Sequence, residues 1–216
     1  MLPVRVFFKK KGPLSYISHL DLNRTVLRAL QRSRLPVVYS EGFNPHPRLV
    51  FSQPLSLFQE SETEIFEFKL EQDFPYDEIK SRLIAALPPA LVVTKVAAPI
   101  KKLSEIAFAE YEMVLGYSEP NKTTDAESVK KMLEGSIIVS KKTKKSEIEI
   151  DIAPMIKSLS VAQAERNIHI TAVLDTSSDK YLNPVYITDY LSEQLGFDEV
   201  DIIRTKLFDG DMEFFE

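Results

Sequence analysis

Apolar residues along the first hundred positions alternate, then recur at helical spacing, and then alternate again. Val4 to Phe8 is a short β-favouring run ended by Lys9, Lys10, Lys11, Gly12 and Pro13, and it predicts a first strand. Ser18 stands where a helix N-cap belongs. Leu22, Val26, Ala29 and Leu30 then recur at i, i+4, i+7 and i+8 ahead of Pro36, which predicts a helix with Arg24, Arg28 and Arg32 along its other side. Leu49 to Leu55 and Glu64 to Leu70 read as strands. In the second of these Phe66, Phe68 and Leu70 alternate with Ile65, Glu67 and Lys69. Pro75 to Leu87 reads as a helix stopped by Pro88 and Pro89, and Leu91 to Ala97 as a strand.

The order β, α, β, β, α, β is the ferredoxin-like pattern. Pro99 to Ala107 then reads as a connection. Beyond it come a strand at Glu110 to Tyr117, a helix at Thr124 to Glu134, and a β-rich stretch at Ile137 to Ile152 with Lys141, Lys142, Lys144 and Lys145 at its turn. A strand at Ile168 to Leu174 follows. Asn183 and Pro184 open a helix that Gly196 ends, and Val200 to Phe208 is a last strand. The second half repeats the first with an apparent insertion at Ala153 to Arg166. The expected fold is therefore α+β, tandem ferredoxin-like units with antiparallel sheets over residues 1–99 and 108–216.

One stretch fits neither period. From Tyr39 to Ser52 the chain carries Gly42, Phe43, Asn44, Pro45, His46, Pro47 and Arg48 in succession. Asn44 and His46 precede prolines and are pushed towards extended conformations, while Gly42 permits a turn that other residues resist. This predicts a stiff, shaped loop. Its plain reading is a rigid connection; its functional reading is a presented surface.

Composition changes the picture in two respects. The 216 residues contain no cysteine, which removes disulfides, thiolate metal sites, iron–sulfur ligation and cysteine nucleophiles. Only His19, His46 and His169 remain as nitrogen ligands, with no HxxH or HExxH spacing, so no metal or other cofactor is expected. Residues 1–50 hold nine Lys and Arg against Asp21 and Glu41, a net of +7, whereas the whole chain is at −5. A basic segment on an acidic body suits a phosphate-bearing partner. No apolar run approaches membrane-spanning length, and the first residues lack a secretory signal, so a cytoplasmic protein without a membrane partner is expected.

Candidate binding residues cluster in this basic segment. If the helix start approached the loop, His19, His46 and Arg48 would surround an anion, assisted by free helix N–H groups. Asp21 is equally explained as a helix-dipole partner. Tyr39, Phe43 and Phe51 would stack on bases beside Arg48, although Phe51, in an alternating strand, reads better as core. The candidate set is His19, Asp21, Arg24, Arg28, Tyr39, Phe43, Asn44, His46 and Arg48. His46 suits acid–base work by its ordinary titration range, but no orienting carboxylate is identifiable and Ser40 and Ser52 lack a nucleophile-elbow context.

Tyr16, Ser18, His19, Leu20 and Asp21, followed by Tyr39, Ser40, Gly42 to Pro47, Phe51 and Pro54, resemble the signature of the bacterial radical SAM-linked protein family. Weaker matches run through Asp151, Pro154, Asn183, Pro184, Arg204 and Thr205. The resemblance implies an auxiliary protein acting beside a radical SAM protein, here a separate polypeptide. The expected function is a noncatalytic module that binds a substrate, RNA such as tRNA or rRNA, for that enzyme. The alternatives are metal-independent RNA cleavage by His46 or His19 with Arg48, and a pure protein adaptor for the radical SAM partner.

Overall fold

Val4, Val6 and Phe8 share one face of the first strand, and that face is where the core forms. The computed structural model describes residues 1–142, 146–177 and 180–215. Two units pack internally: Met1–Ile106 together with Phe215, and Ala107–Phe214.

In the first unit, β1 (Leu2–Lys10) lies between β3 (Glu60–Leu70) and β4 (Leu91–Ala97), antiparallel to both, with Val6 opposite Phe66 on one side and Val96 on the other. A two-residue β2 (Val50–Phe51) pairs antiparallel with β3, Phe51 opposite Phe66. The predicted strand at Leu49 to Leu55 is thus mostly irregular. Pro54 has no N–H to donate to a ladder, and the pairing stops after Ser52, whose N–H donates to the Ile65 carbonyl. Helices α1 (His19–Arg32) and α2 (Tyr76–Ala86) cover the sheet face made by Val4, Val6, Phe8, Phe66, Phe68 and Leu70 with Leu22, Val26, Ala29, Ile79 and Leu83. These side chains are almost wholly removed from water, at roughly 1.5–3 kcal/mol for each large one.

Helix α1 forms as its caps dictate. The Asp21 N–H donates to Ser18 Oγ at 3.1 Å, and Asp21 and Arg32 stand at the ends that favour their charges. Arg34 adopts a left-handed φ of 55° just beyond the helix, and Pro36 prevents its continuation.

The second unit orders its strands β10, β5, β9, β8, where β5 is Ile106–Gly116, β8 Ile156–Ala164, β9 Asn167–Asp175 and β10 Glu199–Asp209. β9 is antiparallel to both β5 and β8, with Ala172 opposite Tyr111 and Leu159. The segment read as an insertion is therefore a strand of the sheet. The added piece is instead the hairpin β6 (Ile138–Lys142) and β7 (Glu147–Asp151), which pair only with each other among the described residues. Of the lysines expected at its turn, Lys144 and Lys145 lie outside the described residues.

Helices α3 (Ala126–Met132) and α4 (Val185–Leu195) bring the described α-helices to four. Pro184 rather than Asn183 is the N-cap of α4, but Asn183 Oδ1 still accepts from the Val185 N–H at 3.2 Å, so the capping chemistry acts one residue early. Among the described residues no helix is long and apolar enough to cross a membrane.

A candidate nucleic-acid interface on an aromatic arm

Between α1 and β2 the chain leaves the sheet edge as a narrow arm. Val37 bridges Leu70, and the Val38 N–H donates to the Lys69 carbonyl at 2.8 Å, anchoring the outgoing leg to β3. Further out, the Arg48 N–H donates to Val38 O at 3.0 Å and the Ser40 N–H to His46 O at 2.8 Å, so the two legs hold one another. Pro47 is buried, and Pro45 and Pro47 fix the returning leg. At the tip Gly42 takes a φ of +128°, a conformation that strongly favours glycine.

Ser40 and His46 close the tip. Ser40 Oγ accepts from the His46 N–H at 3.2 Å and lies 3.1 Å from His46 Nδ1, which is also 3.2 Å from the Asn44 carbonyl. A carbonyl only accepts, so this last bond requires the proton on Nδ1. The outcome is an arm that displays Phe43 at 112% relative exposure, with Tyr39 at 41% and Arg48 also exposed. Arg48 and Arg28 have no carboxylate partner among the described residues, whereas Arg24 meets Asp21 at 3.4 Å.

His19 does not join His46. Its ring meets Phe51 edge-on with centroids 5.2 Å apart, and Phe51 in turn contacts Phe8 and Phe66. Phe51 thus belongs to the margin of the core. No hydrogen bond, ion pair or ring contact links His19 to His46 or Arg48 among the described residues. Burial pushes the His19 imidazole below its ordinary titration range, with Glu64 acting against this and Lys10 with it. Asp21 serves the helix start, accepting from the Ser18 hydroxyl at 2.7 Å.

Lys10 and Glu64, buried at 1% and 4% exposure, are the charged neighbours of His19 that sequence reasoning missed. Their signal was parity. Lys10 continues the inward series Val4, Val6, Phe8, and Glu64 begins the inward series Phe66, Phe68, Leu70, so each places a charge on a core-facing position.

The +7 segment is not a +7 surface. β3 lays its carboxylates beside the basic strand β1: Arg5, fully buried, binds Glu67 at 2.7 Å, and Lys9 and Lys11 both bind Glu62. These bonds hold the Glu62 carboxyl below its ordinary range and the Lys11 ammonium above its own. The charges divided along the sequence are largely reunited across one strand pair. Among the described residues no group of three or more His, Asp or Glu is placed to hold a metal ion.

Fold and surface together define a mixed α/β protein of two compact units, the first carrying a stiff arm with exposed aromatic and guanidinium groups. The chain belongs to the DUF2344 family, uncharacterized proteins conserved in bacteria, whose family model matches residues 4–184. Among curated proteins no sequence matches it. Its fold is similar to that of a chain in the crystal structure of a Cbf5-Nop10-Gar1 complex, with a TM-score of 0.53 at 9% identity. That similarity covers 94% of this chain and 48% of the other, so this protein spans about half its length, and at such low identity the likeness concerns the fold alone.

Proposed function

We propose that this protein is an RNA-binding module whose arm engages unpaired nucleotides, and that it works beside a separate radical SAM enzyme. The observation that carries the RNA reading is the fully exposed Phe43 ring on an arm whose legs are hydrogen-bonded, with Arg48 exposed on the returning leg and without a carboxylate partner among the described residues. A base stacked on such a ring is worth roughly 1–3 kcal/mol, and a guanidinium suits the adjoining phosphate. The radical SAM association is supported by the motif resemblance of the first half of the chain.

Each unit reads as a ferredoxin-like fold. The strand orders β4-β1-β3 with β2 on β3, and β10-β5-β9-β8, support this, with a helix after the first and third strand of each. A second reading, protein docking to the radical SAM partner, is favoured by the exposed Tyr16, Leu20, Leu57 and Phe58. Phe58 holds a left-handed φ of 65° with its ring 5.7 Å from Tyr16.

Filter binding to tRNA and rRNA fragments over a salt series tests the RNA reading. Phe43→Ala is expected to lower affinity about tenfold, and Phe43→Ala with Arg48→Ala about a hundredfold. Binding without a salt slope, or equal binding by the double variant, removes it. Coelution with the radical SAM protein together with indifference to RNA would favour the docking reading.

A further inference from the structure

A second surface with a definite chemical character lies within the Ala107–Phe214 unit. Tyr186, Asp189, Tyr190 and Glu193 are spaced i, i+3, i+4 and i+7 on α4 and so share one helix face. That face stands opposite Ile138, Val139 and Ser140 of β6, and between them is a cavity of about 140 Å³. Val139 is buried in its floor, Tyr186 and Tyr190 are half-buried in its wall, and Asp189 and Glu193 are exposed at its mouth. The Tyr190 hydroxyl lies within reach of the Met132 carbonyl at 3.5 Å.

Neither carboxylate has a Lys or Arg partner among the described residues. Partial burial, together with the charge of Glu193, pushes the Asp189 carboxyl above its ordinary range. β6 adds a third feature. Its only strand partner among the described residues is β7, so its other edge has open backbone N–H and C=O groups.

We infer that this cavity receives the lysine or arginine side chain of an extended peptide segment that adds as a strand to the free edge of β6. Room for about four waters suits one long side chain. Apolar residues and tyrosine rings take its methylene stem, and the two carboxylates with the ring faces take its cationic head. The strand edge supplies what a free amine would not use: main-chain hydrogen bonds that make the ligand a peptide, with the cavity selecting the residue. The same carboxylates repel phosphate, so this is not an extension of the RNA surface.

The test uses the full chain, uniformly 15N-labelled, titrated with the peptide acetyl-Val-Val-Lys-Val-Val-amide. Saturable amide shifts confined to residues 138–140 and 186–193 are expected. Replacing the peptide lysine by norleucine, or making Asp189→Asn with Glu193→Gln, is expected to weaken binding at least tenfold. Both protein substitutions are at exposed positions, and an unchanged spectrum elsewhere confirms the fold. N-methylation of the peptide backbone flanking the lysine is expected to abolish binding, and lowering the pH through the Asp189 titration to weaken it. Absence of saturable shifts, shifts located elsewhere, or equal binding of the norleucine or N-methylated peptide would overturn the inference.

Discussion

Each unit has to carry its chain from its first helix to its next sheet strand, and the two do so differently. Between α1 and β2 stands the arm, with no ladder beyond its few bridging bonds; between α3 and β8 stands the β6–β7 hairpin, with five residue pairs in register. The arm is shaped by residue chemistry: two prolines, one glycine in a φ > 0 conformation and a serine bonding the tip. Its side chains are therefore released to solvent. The hairpin is shaped by pairing, and it turns Ile138 to Ser140 to α4. Where backbone conformation alone specifies a loop, the side chains are free to recognise something else.

Four experiments press on this contrast. Gly42→Ala meets no atom within 4 Å, so its cost is the backbone strain at φ +128°, about 2 kcal/mol, all within the arm. Amide exchange at Ser40 and Arg48 should accelerate about thirtyfold, with β6 and β7 unaffected. Equal protection would show that the arm does not depend on its glycine. Ser40→Ala removes the bonds to His46 and should loosen the same amides by about 1 kcal/mol. RNA affinity should fall with it; a rigid arm in this variant would mean that the prolines suffice.

On the hairpin side, Asp151 accepts from the Ala153 and Ile137 N–H groups, which hold its carboxyl below the ordinary range. A depressed carboxylate stabilises the fold above its unfolded value of about 3.9, and that contribution is lost as pH falls through the folded value. Protection of the Ile137 and Ala153 amides, taken relative to their intrinsic exchange rates, should therefore fall on acidification in the native protein and stay flat in Asp151→Asn. The smallest effect belongs to His19. Its ring should titrate below about 6.5 by proton chemical shift, because the fold prefers it neutral. Stability from this source is whole above that value and diminishes as pH falls towards the folded one. His19→Phe should remove the dependence; an ordinary midpoint would place the ring in water rather than on Phe51.

Elements with local signals were legible in the sequence. Ser18 announced α1, Pro75 with Pro88 bounded α2, and Gly196 at φ 72° ended α4. β8 was not legible, because a register shift between Ile156 and Ser158 breaks its alternation and most of its side chains are exposed. The arm's composition showed that it was shaped, and Phe43, placed among the candidate binding residues, is wholly exposed. What sequence could not show was partnership. The residues that meet His19 lie on β1, β2 and β3, and the carboxylates that neutralise β1 come from residues 62–67.

That neutralisation sets how the protein would behave in salt. With Arg5 and Lys10 buried, Lys9 and Lys11 on Glu62, and Arg24 on Asp21, the nine basic residues of the first segment leave Arg28, Arg32, Arg34 and Arg48 as surface cations without a carboxylate partner among the described residues. Four phosphate contacts to a single strand release few counter-ions. The logarithm of affinity would then fall against that of salt with a slope of about −3, where nine would give about −6. A ligand held so lightly by charge must be chosen by shape, and its complex would persist at ionic strengths that strip a polycation from RNA.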